Sequence, residues 1–396
     1  MTQKVLVINA GSSSIKLTLF EKETLKVIAS GLAERITLPM GNLSIKFDKK
    51  YEKELPLPNF EVAVEEVLKM MKELKLVENA DEISNIGFRV VQGGPYFDKA
   101  SKITEKEIAL IDQVSIYAPL HNPGAIAAMK AFKKAMPNAK LSANFDTAFH
   151  TSINQVNHTY AIPYELTQKY GVKKYGAHGI SHRYITLKLQ EILKKDKVTF
   201  VNCHLGNGGS LCAVKDSKSF DTSMGLTPLA GIMMGTRSGD IDPSIHQFLM
   251  KQMDINIDEF TNILNKKSGL MGVSNNLSSD MRDIIDAKEN GNLQAKLAFE
   301  LFANKVVDYI AMYANKIGPK VEAIVFTAGI GENSPKIREQ IINNINFANV
   351  KLDSNKNFGP IGEYELISTE DSEIPVYVIR TNEELVIAKD AIKLYE

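Results

Sequence analysis

The chain has no surplus charge of either sign, only two cysteines and no long apolar run. Lys plus Arg number 47 and Asp plus Glu number 47, so the formal net charge is zero. Without a global field, attraction to nucleic acid or to anionic lipid is not expected. No apolar run approaches the roughly 18 residues that span a bilayer, so no membrane role is expected either. The first residues, MTQKVLV, enter a strand-like run almost at once and leave no room for a leader, which makes a cytoplasmic location the expectation. Cys203 and Cys212 fall inside one expected hairpin and form no metal-ligand set; two reduced thiols are favoured over a disulfide. The pattern GxxxxGK[ST] of the common phosphate-binding loop is missing too.

What is present is the make-up of a globular protein, 44% hydrophobic and 24% charged, in a chain of 396 residues that predicts two domains. Strand-like and helical segments alternate, which predicts an α/β fold. In VLVINAGSSSIKLTLF, a buried strand meets glycine and serines, then Ile15, Leu17 and Leu19 alternate with Lys16, Thr18 and Phe20. That period of two predicts a hairpin with a hydroxyl- and amide-lined tip, not a loop leading into a helix. Early strands are expected at roughly 4–9, 15–20 and 43–48, then a helix from about Val62 to Leu76. Thr104 and Glu107 spell a capping box. Asn122-Pro123 reads as N-cap and first residue of a helix through Ala135. The longest helical pattern, GNLQAKLAFELFANKVVDYIAMYANKIGP, is stopped by Gly318-Pro319, and Ser334-Pro335 and Asn382 open two further helices. VTFVNCHLGNGGSLCAVK repeats the outline of the opening hairpin, with Gly206 where Gly11 stood and SKSFDTS as a third strand. Two phosphate-gripping hairpins, one per domain, would hold a nucleotide between them.

Several polar residues sit at strand ends beside glycine. Arg89 precedes Gly93-Gly94 and reads either as the partner of a nearby acid or as a bidentate clamp on carboxylate or phosphate. Asp146 ends an apolar strand, where it either caps a turn or meets a ligand. His178 and His182 are four apart, yet Gly179 interrupts and no third ligand is evident, so zinc is not expected; a structural histidine is the usual reading and one donating to anionic oxygen the sharper alternative. Arg237, flanked by glycine, is either held by Asp240 and Asp242 or spreads phosphoryl charge in a transition state. VEAIVFTAGIGENSP reads as strand, glycine turn and helix; Asn382, Glu383 and Glu384 offer a cap, helix-dipole acids or Mg2+ ligands. Together these form a phosphoryl-transfer inventory.

Eight motifs in order, NAGSSSIK, APLHNPG, FDTAFH, HLGNGGS, DTSMGLTP, MGTRSGDIDP, GIGEN and TNEEL, resemble the acetate kinase family of the actin, sugar-kinase and heat-shock chaperone superfamily. The resemblance covers essentially the whole chain and implies two ribonuclease-H-like, actin-like ATPase domains with the active site in the cleft between them. The expected division is 1–150 plus 384–396 for substrate and phosphate hairpin, and 151–383 for nucleotide binding and dimerisation. It implies reversible, Mg2+-dependent phosphorylation of acetate by ATP, giving acetyl phosphate and ADP, in a homodimer, with Mn2+ as a possible substitute. By position it implies Asp146, His178 and Arg237 as catalytic; Arg89 for the substrate carboxylate; and Val91, Leu120 and Pro228 around its methyl group. Asn9 and Glu383 would hold the metal. Lys16, His204, Leu205, Gly206, Asn207, Gly208, Asp280, Met281, Arg282, Gly329, Ile330, Gly331, Glu332 and Asn333 would meet the nucleotide.

The sequence departs from the family at Phe88 and Gln92, where histidines are usual, at Ala177 in place of a phenylalanine, and at Ala230 in place of a glutamate. Ala177 would enlarge the methyl pocket, so acetate is expected to remain preferred with unusual tolerance of propionate. A propionate or butyrate kinase of the same fold is the alternative enzyme. A non-catalytic ATP-binding switch is the alternative outside enzymes, although Arg89, Asp146, His178 and Arg237 would serve no purpose in it.

Overall fold

The opening hairpin and its later counterpart both form, and each starts a three-strand meander. The computed structural model describes residues 3–396. They divide into two units, Met1–Phe149 with Asn382–Glu396, and His150–Thr381.

In the first unit β1 (Lys4–Ala10), β2 (Ser14–Glu21), β3 (Val27–Glu34), β4 (Gly41–Lys46), β5 (Lys50–Leu55), β6 (Ile83–Val90), β7 (Ser101–Lys102) and β8 (Lys140–Phe145) make one sheet. Its order is β5-β4-β3-β2-β1-β6-β8-β7, antiparallel from β5 to β1, then parallel through β6 and β8. In the second unit β9 (Phe200–Leu205), β10 (Gly209–Lys215), β11 (Lys218–Thr222), β12 (Ile324–Thr327), β13 (Tyr364–Leu366) and β14 (Val376–Ile379) follow the order β11-β10-β9-β12-β14-β13. Here β9, β12 and β14 are the parallel strands. Without the flanking strands, both units read third, second, first, fourth, fifth, which is the repeated ribonuclease-H-like arrangement.

Parallel strands are covered on both faces, which is why β1 (KVLVINA) and β12 (IVFT) are continuous apolar runs. Each unit packs its own core: Leu6, Ile8, Leu17, Phe88 and Phe132 in the first, Val201, Cys203, Phe299, Phe302 and Phe326 in the second. Phe88, one of the departures from the family, meets Phe132 edge-on with ring centroids 5.9 Å apart. The second core is built on the helix Leu293–Ile317, which ends where Gly318-Pro319 was expected to stop it. Both cysteines are buried free thiols, and burial pushes Cys212 up to about 12, so neither ionises at neutral pH. Among the described residues no helix is long and apolar enough to cross a membrane.

Thr104 caps the helix Glu105–Gln113 with the expected reciprocal Glu107 bond. Three local expectations need correction. β3 and β5 were not expected: small residues in VIASGLAE blur the alternation, and charges in KYEKEL suit an exposed edge strand. The stretch Ala328–Asn333 is itself a short helix, not a turn. Asn122 is not the N-cap, which is His121; it is the first residue of the helix Asn122–Ala135. Its buried amide instead accepts from Gln92 N–H at 3.1 Å and donates to Gln92 C=O at 2.9 Å.

The hairpin tips close alike, Gly11 N–H donating to Ser14 C=O at 2.9 Å and Gly206 N–H to Gly208 C=O at 3.1 Å. In the first unit, the start of the helix Asn122–Ala135 backs directly onto the tip. A Cβ at Gly124 would lie 2.1 Å from the Gly11 carbonyl oxygen. Overpacking of this kind costs about 1–3 kcal/mol. Gly124→Ala should therefore lower Tm by about 2 °C or more in a thermal melt; an unchanged Tm would mean that the tip yields without cost.

Candidate functional site

In the first unit, register places Asn9 beside Lys16 on β2 and beside Arg89 on β6. β6 and β8 are parallel neighbours, so Arg89 near the end of one meets Asp146 just past the end of the other. The contact is a two-pronged fork: Nε donates to Oδ1 at 3.0 Å and Nη2 to Oδ2 at 2.7 Å. The acid-partner reading of Arg89 thus holds, and the Asp146 carboxylate is 1% exposed. Glu383 opens the helix Glu383–Lys393, capped by Asn382, whose side chain accepts from Leu385 N–H at 3.0 Å. Glycine at position 87 lets this helix lie against β6, since a Cβ there would sit 2.6 Å from Ile387. Glu383 Oε2 thereby comes 3.7 Å from Arg89 Nη1, while Lys16 binds Glu384 at 2.7 Å. Asn9, Lys16, Arg89, Glu383 and Glu384 line one small recess.

Glu383 and Glu384 line the recess and Asp146 stands behind Arg89, three carboxylates against two cations, Arg89 and Lys16. Burial pushes the Glu383 carboxyl up to about 7, with Asp146 and Glu384 adding to the rise against the opposing pull of Arg89 and Lys16. Surplus negative charge beside the hard oxygen donors of Asn9 and Glu383 fits Mg2+, which takes one or two protein carboxylates and completes its shell with water and phosphate. Among the described residues no three His, Cys, Asp or Glu side chains form a protein-only cage.

In the second unit, a cavity of about 430 Å³ is lined by Asn207, Ser279, Asp280, Met281, Arg282, Gly329, Ile330, Asn333 and Ser334. It brings together three stretches singled out in the sequence: the second hairpin tip, the start of the helix Met281–Glu289, and the helix Ala328–Asn333. Asp280 caps the first of these helices and grips Arg282, which holds its carboxyl down at about 2. Gly331 and Glu332 are not in this wall. The Glu332 carboxylate accepts from Ala328 N–H at 2.8 Å and Thr381 N–H at 3.0 Å, so it ties its own segment down. Arg338, 1% exposed, donates to the carbonyls of Gly331 and Glu332 at 2.9 and 3.0 Å, and to Asn357. Burial lowers its pKa to about 10, leaving it charged beneath the cavity's carbonyl ends. Arg338 and Ser279 are not singled out in the sequence, and Ser334 reads there only as the opening of a helix.

Arg237 pairs with neither acid proposed for it. Asp240 accepts from Gly231 N–H and from the Tyr309 hydroxyl, and Asp242 from Ser244 N–H. Arg237 Nη1 donates to the Pro228 carbonyl at 2.7 Å, and a Cβ at Gly208 would lie 2.8 Å from Nη2. The guanidinium therefore lies over the glycine tip, its pKa lowered by burial, with no carboxylate partner among the described residues. His178, at φ +54, precedes the helix Gly179–Leu193; its ring stacks on His204 at 4.2 Å and its Nδ1 meets Ser210 Oγ at 2.9 Å. His182 meets the same hydroxyl, so the two histidines share one serine. Leu205 and Gly206 end the strand and start the tip, and His204 Nδ1 meets Ser181 Oγ at 2.8 Å.

For the expected methyl pocket, Val91 is half-buried just past β6, Leu120 is 50% exposed, and the Pro228 carbonyl holds Arg237. Ala177 is buried against Met224 and Met234. Gln92, another departure, turns its Oε1 to Gly94 N–H at 2.8 Å and so braces the glycine turn.

A family model of the acetokinase family matches residues 4–389. The chain is 59% identical over 391 residues to an acetate kinase of Mycoplasmopsis pulmonis, covering 99% of each chain. It is 44% identical over 394 residues to one of Bacillus velezensis, again with 99% of each covered. Among solved structures, the acetate kinase of Porphyromonas gingivalis superposes with a TM-score of 0.94 at 38% identity, covering 100% of both chains. A propionate kinase from Francisella tularensis superposes with a TM-score of 0.94 at 40% identity, covering 99% of this chain and 100% of that one.

A carboxyl whose pKa is raised on folding costs stability once it ionises, so stability falls as pH rises from the ordinary carboxylate range through about 7. Glu383→Gln removes that charge at constant shape. In metal-free buffer its Tm should exceed that of the wild type at pH 8 and match it at pH 5. Equal melting at both pH values would show that Glu383 ionises without penalty.

Proposed function

The chain belongs to the acetokinase family, and from that premise we propose that it transfers the γ-phosphoryl group of ATP to acetate, reversibly, giving acetyl phosphate and ADP. Full-length likeness to acetate kinases, with eight of the family's motifs in order, supports the reading. Acetate, with a pKa of roughly 4–5, is already ionised at neutral pH, so no base is needed to make the nucleophile. The barrier lies in bringing one anion against another.

Asp146 fits that requirement as an orienting group, since both its oxygens are engaged by Arg89. Arg89, held in the fork, presents its remaining N–H groups to the acetate carboxylate, with Val91, Leu120 and Pro228 around the methyl group. Arg237, a cation with no carboxylate partner, and His178 take the charge of the phosphoryl group as it transfers in line. The nucleotide occupies the cavity of the second unit, against Asn207, Asp280 to Arg282, Gly329, Ile330 and Asn333. The hairpin His204 to Gly208 and Lys16 meet its phosphates; Gly331 and Glu332 act by holding the cavity wall in place. Asn9 and Glu383 would hold Mg2+, or Mn2+ in its stead, and the bound ion would neutralise phosphate charge.

The protein is further proposed to be cytoplasmic and to work as a homodimer. The helix Ser244–Met253 supports pairing with a second copy: it has no buried residue and leaves Phe248 63% exposed. A propionate kinase is the second reading, favoured by Ala177 and by the likeness to the Francisella tularensis propionate kinase. The two methionines packed on Ala177 are deformable side chains, so acetate is preferred and propionate tolerated.

Acyl phosphate formed from Mg-ATP and trapped with hydroxylamine tests the reading on acetate, propionate and butyrate. Acetate should lead, with kcat/KM above that for propionate by less than about 200-fold, the upper range for one methylene. A steeper ratio would make Ala177 silent; propionate in the lead would move the chain to the second reading; no product from any acid would leave a nucleotide switch. Arg237→Ala should lower kcat by about 100- to 1,000-fold with ATP affinity by calorimetry changed less than about twofold. Near-normal turnover would remove Arg237 from the chemistry.

A further inference from the structure

Ser210, second in β10 and fully buried, lies across the ladder from His204. Its hydroxyl touches two imidazoles, Nδ1 of His178 and Nε2 of His182, each at 2.9 Å. A hydroxyl carries one proton and two lone pairs; Ser210 is fully buried and its oxygen meets no side chain but these two rings, so its proton is satisfied only by donating to one of them. His182 decides the direction. It is fully buried, with the rings of His150 and His204 at 5.5 and 6.0 Å, and burial first, then those neighbours, keep it neutral. Its Nδ1 lies 2.8 Å from Nδ2 of Asn202 on β9. An amide nitrogen only donates, so Nδ1 of His182 accepts and its proton sits on Nε2. That N–H donates to Ser210 Oγ, and the Ser210 hydroxyl then donates to Nδ1 of His178. The proton of neutral His178 is left on Nε2.

We propose that Asn202, His182 and Ser210 form a one-way hydrogen-bond relay that positions His178 and fixes it as the Nε2–H tautomer, which donates a hydrogen bond to an oxygen of the transferring phosphoryl group. Only the identity of that acceptor rests on the proposed function; the relay rests on the hydrogen bonds. The ring it serves is already constrained twice, by a left-handed backbone at φ +54 and by the stack on His204 at 4.2 Å. Backbone and stack fix where the imidazole lies. Neither fixes which nitrogen carries the proton, and that is what the relay adds. None of its three members touches the reacting atoms by this account, so they are positioning residues.

Two-bond 1H–15N spectra of histidine-labelled protein at pH 7.5 test the relay, with His178 assigned by the signal lost in His178→Gln. The wild type should show His178 protonated at Nε2, and Ser210→Ala should show a mixture of tautomers. Ser210→Ala should also lower kcat about tenfold, part of the roughly 100-fold or more that a preorganised donor contributes, with KM for ATP and for acetate within about twofold. Ser210→Thr, which keeps the hydroxyl, should recover most of the rate. A proton on Nδ1 of His178 in the wild type, or a tautomer unchanged in Ser210→Ala, overturns the proposal. Should Ser210→Ala not fold, the wild-type spectrum decides by itself. Absence of acyl phosphate from every acid would remove the proposed function while the spectra still decide the relay.

Discussion

Parallel pairing of β1 with β6, and of β6 with β8, brings three strand ends side by side, and the chemistry of the first unit follows from that alignment. A parallel strand cannot be reached by a tight turn, so the chain must leave the sheet and return, and each return delivers its next residue to the same edge. Asn9, Arg89 and Asp146 are gathered in this way from positions far apart in sequence. The second unit repeats the device with β9, β12 and β14, and there the edge carries the glycine tip, the helix Ala328–Asn333 and Thr381.

Charge is then distributed unevenly along these edges. Arg89 is satisfied by Asp146 and is held rigid; Arg237 donates to the Pro228 carbonyl and, among the described residues, has no carboxylate to compensate its charge. Arg338 is a third case, a buried guanidinium that spends all its bonds on carbonyl oxygens and so sets the shape of a wall. Three arginines thus do three different things, and burial alone does not separate them. The partner does.

Much of this was legible in the chain because local patterns and the final structure agree. Alternation through Ile15, Leu17 and Leu19 marked β2, the Thr104 box marked its helix, and Gly318-Pro319 marked the end of the longest one. The repeated hairpin was legible from strand period and glycine, both short-range properties. What was hidden depended on neighbours distant in sequence. Asn122 looks like a cap until Gln92 takes its amide; Asp240 looks like a partner for Arg237 until Tyr309 and Gly231 claim it; Glu332 looks like a nucleotide contact until Ala328 and Thr381 turn it inward. Ser210 was inside a quoted motif, yet only the fold sets a histidine on each side of its hydroxyl. β3 escaped because glycine and alanines flatten the alternation that would have shown it.

The helix Glu383–Lys393 has a bearing on the order in which the protein is made. It belongs to the first unit, where Asn85 donates to the Ala391 carbonyl and Asn144 to the Asp390 carboxylate, both inside the sheet's face. The strands that need this cover are synthesised early, and the cover itself comes after the whole of His150–Thr381. On the ribosome, all strands of both sheets therefore emerge before the helix that takes up the amide groups of Asn85 and Asn144. A chain broken off before Asn382 would carry all eight strands of the first sheet without the helix that covers this face.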